Sequence, residues 1–268
     1  MRELERDLPA DTPTPHTPAA PSRLVVVGSG RAGTALARAA EAGGIEVTIA
    51  GRDDATRLAS GAEAVLLCVP DEAIAEACVS VVGADPPPAT VGHVSGAGRL
   101  DLLEPAARAG ATTFSLHPLQ TIPDGATDLS GAPCAVAGSD GAAVDFARVL
   151  ARSLGMAPFE VPDDGRAAYH AAACIASNFL VALEESAAAL LARAGVDDPR
   201  EALTPLVLRT AANWADRGAQ ALTGPIARGD EATVARHLDA LRGRAPELLP
   251  LYEALAARTR ELAAGEGQ

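Results

Sequence analysis

Leu24-Val25-Val26-Val27-Gly28-Ser29-Gly30-Arg31-Ala32-Gly33 is the stretch that decides how this chain is read. Four apolar, mostly β-branched residues predict a buried strand. The glycines that follow fall in the spacing G-x-G-x-x-G, directly ahead of an Ala-rich helical run from Thr34 to Ala42. Each glycine has its own task. Gly28 permits a tight turn, Gly30 lets the backbone approach a pyrophosphate, and Gly33 lets helix and strand close up. Ser29, Arg31 and Ala32 complete the turn at a helix N-terminus, whose unpaired N–H groups attract an anion. The pattern predicts a βαβ unit that binds a dinucleotide.

The end of the next strand selects the nucleotide. Residues Glu46 to Ala50 read as that strand, and it runs into Gly51 and Arg52 instead of the acidic residue that would hold the ribose hydroxyls of NAD. Arg52 suits a 2′-phosphate and Arg57, about one turn later, adds a second charge, so NADP is the expected cofactor. Asp53 keeps NAD open as the alternative. Further strands are expected at Ala64 to Val69, Thr90 to Val94, Thr112 to Leu116, Ala135 to Ala137 and Ala157 to Val161, with a helix from Ala142 to Leu154. This alternation predicts an α/β protein with an N-terminal Rossmann-type, mostly parallel sheet.

Beyond Pro162 the strand signal stops. Asp163 or Asp164 can cap one long helix ending near Ala194, with Gly195 as its stop; further helices start at Asp198-Pro199 and at Asp230, and another runs from Pro246 to Ala264. The expected organisation is therefore a disordered, proline-rich leader over 1–22, an NADP-binding domain over 23–162, and a second, all-helical C-terminal domain over 163–268 that serves substrate binding and dimerisation.

Composition limits the function classes. Of 268 residues 48% are hydrophobic but only 3% aromatic, so helices must pack through small side chains. The formal charge of −13 and the lack of a basic cluster argue against a nucleic-acid partner. All 22 basic residues are Arg, which removes Schiff-base chemistry and a Walker A loop. Cys68, Cys78, Cys134 and Cys174 form no C-x-x-C pair and read as small buried hydrophobes of a reducing compartment, not as metal ligands. With no signal-peptide core and no apolar stretch of spanning length free of a charge or Gly/Pro break, the expectation is a cytoplasmic protein with no membrane partner.

Ligands of open α/β sheets lie beyond the carboxyl ends of the strands. Val69 and Pro70, with Asp71, turn the chain beside the expected cofactor. The next strand ends His93-Val94-Ser95, and the one after it Leu116-His117-Pro118. A histidine at a strand end can relay a proton near neutral pH, which makes His117 the leading catalytic candidate, with Ser95 bonding the same substrate oxygen. His93 reads equally well as a histidine held by neighbouring backbone.

The glycine turn, LLCVPDEAI (66–74), HVSGA (93–97) and SLHPLQTI (115–122) together resemble the 6-phosphogluconate dehydrogenase-like superfamily, and SLHPLQTI is similar to the His-Pro strand end of prephenate and arogenate dehydrogenases. The resemblance implies that Ser95 and His117 handle a substrate hydroxyl. YHAAACIASNFL (169–180), LTPLVLRTAANW (203–214) and ALTGPIARGD (221–230) resemble Rossmann-like proteins bearing the C-terminal domain of unknown function 2520. That resemblance implies the fold, an NADP site and a homodimer through the C-terminal helices, but no substrate. It also exposes a departure: where ketopantoate reductases and β-hydroxyacid dehydrogenases of the superfamily carry a catalytic Lys four residues before an Asn, this chain has Cys174 before Asn178.

His170, eight residues before Asn178, stands on the same face of one uninterrupted helix and is the substitute proton donor. Thr223 and Arg228, in a Gly/Pro-rich break before Asp230, would bind a carboxylate or phosphate, and Asn213 with Thr210 adds polar contacts. The expected function is an NADP-dependent oxidoreductase for a small, anionic C=O or C=N substrate held between the domains. The alternative is a non-catalytic NADP-binding sensor or scaffold that has kept the fold.

Overall fold

A computed structural model of the chain describes residues 19–265. The expected leader lies mostly outside the described residues. Its last residues are tied down: Pro21 is buried, and the Ser22 amide donates to Glu63 Oε2 at 2.8 Å. The chain divides into two compact units, with the divide between Cys174 and Ile175.

The first unit is built on strands β1 (Arg23–Val27), β2 (Glu46–Ala50), β3 (Ala64–Leu67), β4 (Thr90–His93), β5 (Thr112–Pro118), β6 (Pro133–Gly138) and β7 (Ala157–Glu160). They form one sheet in the order β2-β1-β3-β4-β5-β6-β7. The strands expected from the sequence are all present, with no end shifted by more than two residues. Every pairing is parallel except β5 with β6. The segment 119–132 that joins those two contains no helix, and a parallel return needs a long crossover, usually helical, so this pair closes antiparallel.

Helices α1 (Arg31–Ala42), α2 (Ala55–Ala59), α3 (Ile74–Val82), α4 (Glu104–Arg108) and α5 (Gly141–Ser153) cover the sheet. Alternation along the strands gives two cores. Leu24, Val26, Leu66, Phe114 and Leu116 pack with Leu36 and Ala40 of α1 and Leu150 of α5. Val25, Val27, Val65, Leu67 and Val91 pack with Ala55 of α2, Ile74 and Cys78 of α3, and Ala106 of α4. Both faces are therefore dry, as parallel strands require.

After β7 come α6 (Arg166–Ala176) and α7 (Asn178–Arg193) in place of the one long helix expected. The break is at Ser177, with φ −123° and ψ −74°, where adjacent Ser and Asn favour capping over helix interior. The whole run Asp163–Arg193 has the length and apolar composition of a membrane span, which the sequence reading did not anticipate, yet Arg166, three residues into it, is fully buried inside the first unit.

The second unit is helical throughout its described residues: α7, α8 (Pro199–Arg217), α9 (Gly224–Ala227), α10 (Glu231–Arg244) and α11 (Leu249–Ala263). Gly195 ends α7 at φ +95°. The Asp230 carboxylate caps α10 by accepting from the Thr233 amide at 3.0 Å.

Candidate functional site

The glycine turn behaves as its spacing requires. Gly28 sits at φ +113°, and a Cβ there would lie 2.3 Å from the carbonyl oxygen of Cys68. A Cβ on Gly33 would lie 2.0 Å from the Gly28 oxygen, so α1 packs on the turn with no room for a methyl group. Gly30 differs: a Cβ there meets nothing within 4 Å. It is the N-cap of α1 and offers no side-chain cap. The helical ladder begins with the Thr34 amide donating to Gly30 O at 2.9 Å, so the amides of Arg31, Ala32 and Gly33 have no acceptor within the helix. Open space before unpaired donors at a positive dipole end fits a pyrophosphate.

Beside the turn is a small pocket lined by Gly28, Arg52, Ala55, Val69, Ala73 and Glu76. Val69 is half-buried in it, and Pro70 is exposed at the start of the 3₁₀ turn Asp71–Ala73. Asp54 is occupied, accepting from the Gly51 amide at 2.7 Å, and its other oxygen lies 3.7 Å from Arg57. Arg52 pairs with Glu76 at 3.7 Å, both side chains well exposed. Such a pair is worth at most about 1 kcal/mol, so Arg52 can turn to a ligand at little cost.

The second cluster stands at the carboxyl ends of β4 and β5. Register places His93 beside Ser115, and His117 lies two residues further on the same face. His93 is fully buried; its Nδ1 accepts from the Ser95 amide at 3.2 Å, leaving Nε2 without a hydrogen-bond partner among the described residues. Ser95 builds the turn: its hydroxyl oxygen accepts from the Gly98 amide at 2.7 Å. His117 is half-buried, and its Nδ1 meets the Tyr169 hydroxyl at 2.6 Å. A Cβ on Gly96 would lie 2.6 Å from His170 Cδ2 and 2.8 Å from His117 Nε2, so both imidazoles rest on that bare backbone.

Arg166, which sequence reasoning missed, organises this cluster. Its guanidinium is fully buried and donates to Ser115 Oγ at 2.8 Å and to the Ser95 carbonyl at 2.5 Å. Asp163, just ahead of α6, fixes the same loop by accepting from the Leu100 amide at 2.9 Å. Arg166 has no carboxylate partner among the described residues, and its Nε is unsatisfied. A buried cation without a direct ion pair is expensive, which makes its surroundings a candidate functional site. One sequence signal could have found it: Arg166, Tyr169 and His170 stand at i, i+3 and i+4, on one face of an otherwise Ala-rich helix.

The electrostatics follow. Burial, and then the Arg166 cation, push both His93 and His117 down to about 4; His170 adds to the effect at His117. Both imidazoles are therefore neutral at physiological pH. Burial raises the Tyr169 phenol to about 12, with Arg166 opposing. The cluster presents a neutral donor pair beneath a positive potential.

The remaining residues singled out from the sequence are in the second unit, all exposed: Asn178 opens α7, Asn213 lies in α8, Thr223 is the N-cap of α9 and Arg228 its C-cap. The phase argument that set Asn178 on the face of His170 assumed a continuous helix, which the break at Ser177 removes.

Comparison with known proteins agrees with this architecture. A model described as Rossmann-like domain matches residues 47–118, and one described as Domain of unknown function (DUF2520) matches 132–259. A Bacteroides fragilis protein provisionally described as an NADP oxidoreductase has a similar structure, with TM-score 0.74, 23% identity, and coverage of 90% of this chain and 98% of that one. So does a Thermotoga maritima protein, with TM-score 0.71, 23% identity, and coverage of 91% and 100%. A reductive aminase from Aspergillus terreus, solved with NADPH and ethyl levulinate, follows at TM-score 0.61, 19% identity, and coverage of 93% and 95%. These likenesses establish the fold. No curated protein matches the sequence.

Proposed function

We propose, for a chain that carries a Rossmann-like domain followed by a DUF2520 domain, that it is an NADP-dependent oxidoreductase acting on a small, anionic C=O or C=N substrate. The observation that carries the reading is the glycine turn, where Gly28 and Gly33 are locked by backbone while Gly30 faces open space before the bare N-terminus of α1. Arg52, loosely held at the end of β2, would take the 2′-phosphate.

The cofactor, when bound, supplies or accepts a hydride. The chain's own residues do the rest. His117 Nε2, with no hydrogen-bond partner among the described residues, would donate to the reacting heteroatom. The Ser95 hydroxyl hydrogen remains available to the same atom, and His170, resting on Gly96 beside His117, would flank it. Thr223 and Arg228, with Asn213, are exposed within the second unit and would there bind a carboxylate or phosphate.

Calorimetry tests the reading directly: NADPH should bind, and more tightly than NADH. Arg52→Ala should weaken NADPH about tenfold or more and leave NADH unchanged, as loss of one charge-assisted contact implies. No heat with either nucleotide overturns the proposal. Binding without turnover across oxo acids and imines would instead support a sensor, a reading favoured by Cys174 standing where the resembled enzymes carry a Lys.

We also propose a homodimer in the cytoplasm. Ile175, Phe179, Val181, Leu206, Leu208 and Trp214 are each more than 60% exposed, a density of apolar surface that a second copy would cover. Light scattering at micromolar concentration should give twice the monomer mass; a monomer there would count against the dimer.

A further inference from the structure

Among the described residues Tyr169 is the one hydrogen-bond partner of the His117 imidazole, and the geometry of the pair constrains where the imidazole proton sits. The two rings meet edge to face, with centroids 5.5 Å apart and planes at 87°. The hydroxyl lies 2.6 Å from Nδ1, short enough that one partner must donate and the other accept. Phe159 holds the far side of the Tyr169 ring at a centroid distance of 6.0 Å, so the phenol is braced from β7 as well as from its own helix.

Two directions are available for the shared hydrogen. If His117 Nδ1–H donated, Nε2 would be a bare acceptor facing the substrate side. If the phenol donates, Nδ1 is the acceptor and Nε2 carries the hydrogen. The surroundings decide between them. Arg166, from the same helix face as Tyr169, is a buried cation with no carboxylate in ion-pair contact among the described residues. Its positive field opposes the effect of burial and stabilises negative charge developing on the phenol oxygen, which strengthens the phenol as a donor to Nδ1. The other groups facing His117 do not reverse this. They are His170 from α6, Asp71 from the turn after β3 and neutral His93 from β4; Asp71 opposes Arg166 but ranks behind it.

We propose that Tyr169 is a positioning residue for His117: its hydroxyl donates to Nδ1 and holds the imidazole as the neutral Nε2–H tautomer, with Arg166 behind the pair as counter-charge. This rests on the reading that His117 faces the substrate, and it sets the chemistry of that site. In the reducing direction, Nε2–H donates its proton to a carbonyl oxygen as charge develops there. Nδ1 then takes the phenol hydrogen, leaving the phenolate under the Arg166 guanidinium; when water delivers a proton to Nε2, the Nδ1 hydrogen returns to the phenolate and the Nε2–H tautomer is restored. Atoms and charge balance with water as the proton source, and the positive field favours an oxyanion over a cationic iminium.

The test needs neither substrate nor cofactor, so it fails or succeeds independently of the nucleotide reading. Full-length protein labelled with ¹⁵N in its histidines is examined at neutral pH by long-range ¹H–¹⁵N spectra, with His117→Gln used for assignment. The expected wild-type pattern is a bare-nitrogen shift at Nδ1 and a protonated-nitrogen shift at Nε2. In Tyr169→Phe that single-tautomer pattern should be lost, with the two shifts converging as the forms interchange. A wild-type spectrum with the proton on Nδ1 overturns the proposal, and so does a folded Tyr169→Phe protein whose pattern is unchanged. Should the variant fail to fold, the wild-type spectrum alone decides.

Discussion

Gly33→Ala is expected to destabilise the first unit by about 3 kcal/mol, whereas Gly30→Ala should leave stability within about 0.5 kcal/mol and still remove NADPH affinity by at least about tenfold. The contrast comes from what each new methyl group would meet. At Gly33 it would lie 2.0 Å from the Gly28 carbonyl oxygen and 3.2 Å from the Cys68 side chain, so α1 would have to lift off β1 and β3. The Gly28 backbone and the Cys68 Cβ cannot yield as the far end of a flexible side chain could. At Gly30 the methyl enters open space, on a backbone of φ −70° and ψ −177° that any residue adopts. Its only obstacle is the ligand. Urea unfolding followed by circular dichroism, paired with NADPH calorimetry, separates the two effects. Native affinity in Gly30→Ala would mean that the turn does not receive the nucleotide; an unchanged unfolding midpoint in Gly33→Ala would mean that α1 is not held by that contact.

This contrast also shows how far the sequence could be read. The strands announced themselves through β-branched runs, and the glycine turn through spacing alone, because both signals are local. The antiparallel return of β6 was less visible, since it depends on what the segment 119–132 lacks. The interruption at Ser177 was hidden in a run whose apolar pattern continues on either side. At the site, His117 and Ser95 were legible because each follows a strand whose carboxyl end is the expected ligand side. The Tyr169 and Arg166 contacts were not, because they join residues 52 and 51 positions apart, His117 with Tyr169 and Ser115 with Arg166. Only the fold brings the first turn of α6 across the ends of β4 and β5. The i, i+3, i+4 spacing of Arg166, Tyr169 and His170 marked a polar face, yet nothing local says what that face covers.

The same buried cluster makes acid the condition to which this protein should be most sensitive. His93 and His117 are held at about 4 in the folded chain, against about 6.5 in an unfolded one. Between those values the unfolded state binds more protons, so stability rises with pH. The contribution is complete above about pH 6.5 and is lost as pH falls towards 4. Between pH 6.5 and 5 alone the two imidazoles together should cost about 3 kcal/mol of stability, with a slope approaching two protons near pH 5.5. Because both respond to Arg166 and His117 also responds to His93, the loss belongs to the pair and not to either ring. The carboxylates Asp128 and Asp230 have pKa values lowered by their hydrogen bonds, so they release their stabilisation below this window and leave it to the histidines. Urea midpoints at several pH values measure the slope, and His117→Gln should reduce it by about one proton. A midpoint that stayed flat from pH 7 to pH 5 would contradict the burial of neutral imidazoles beside Arg166, and with it the charge arrangement on which proton delivery by His117 depends.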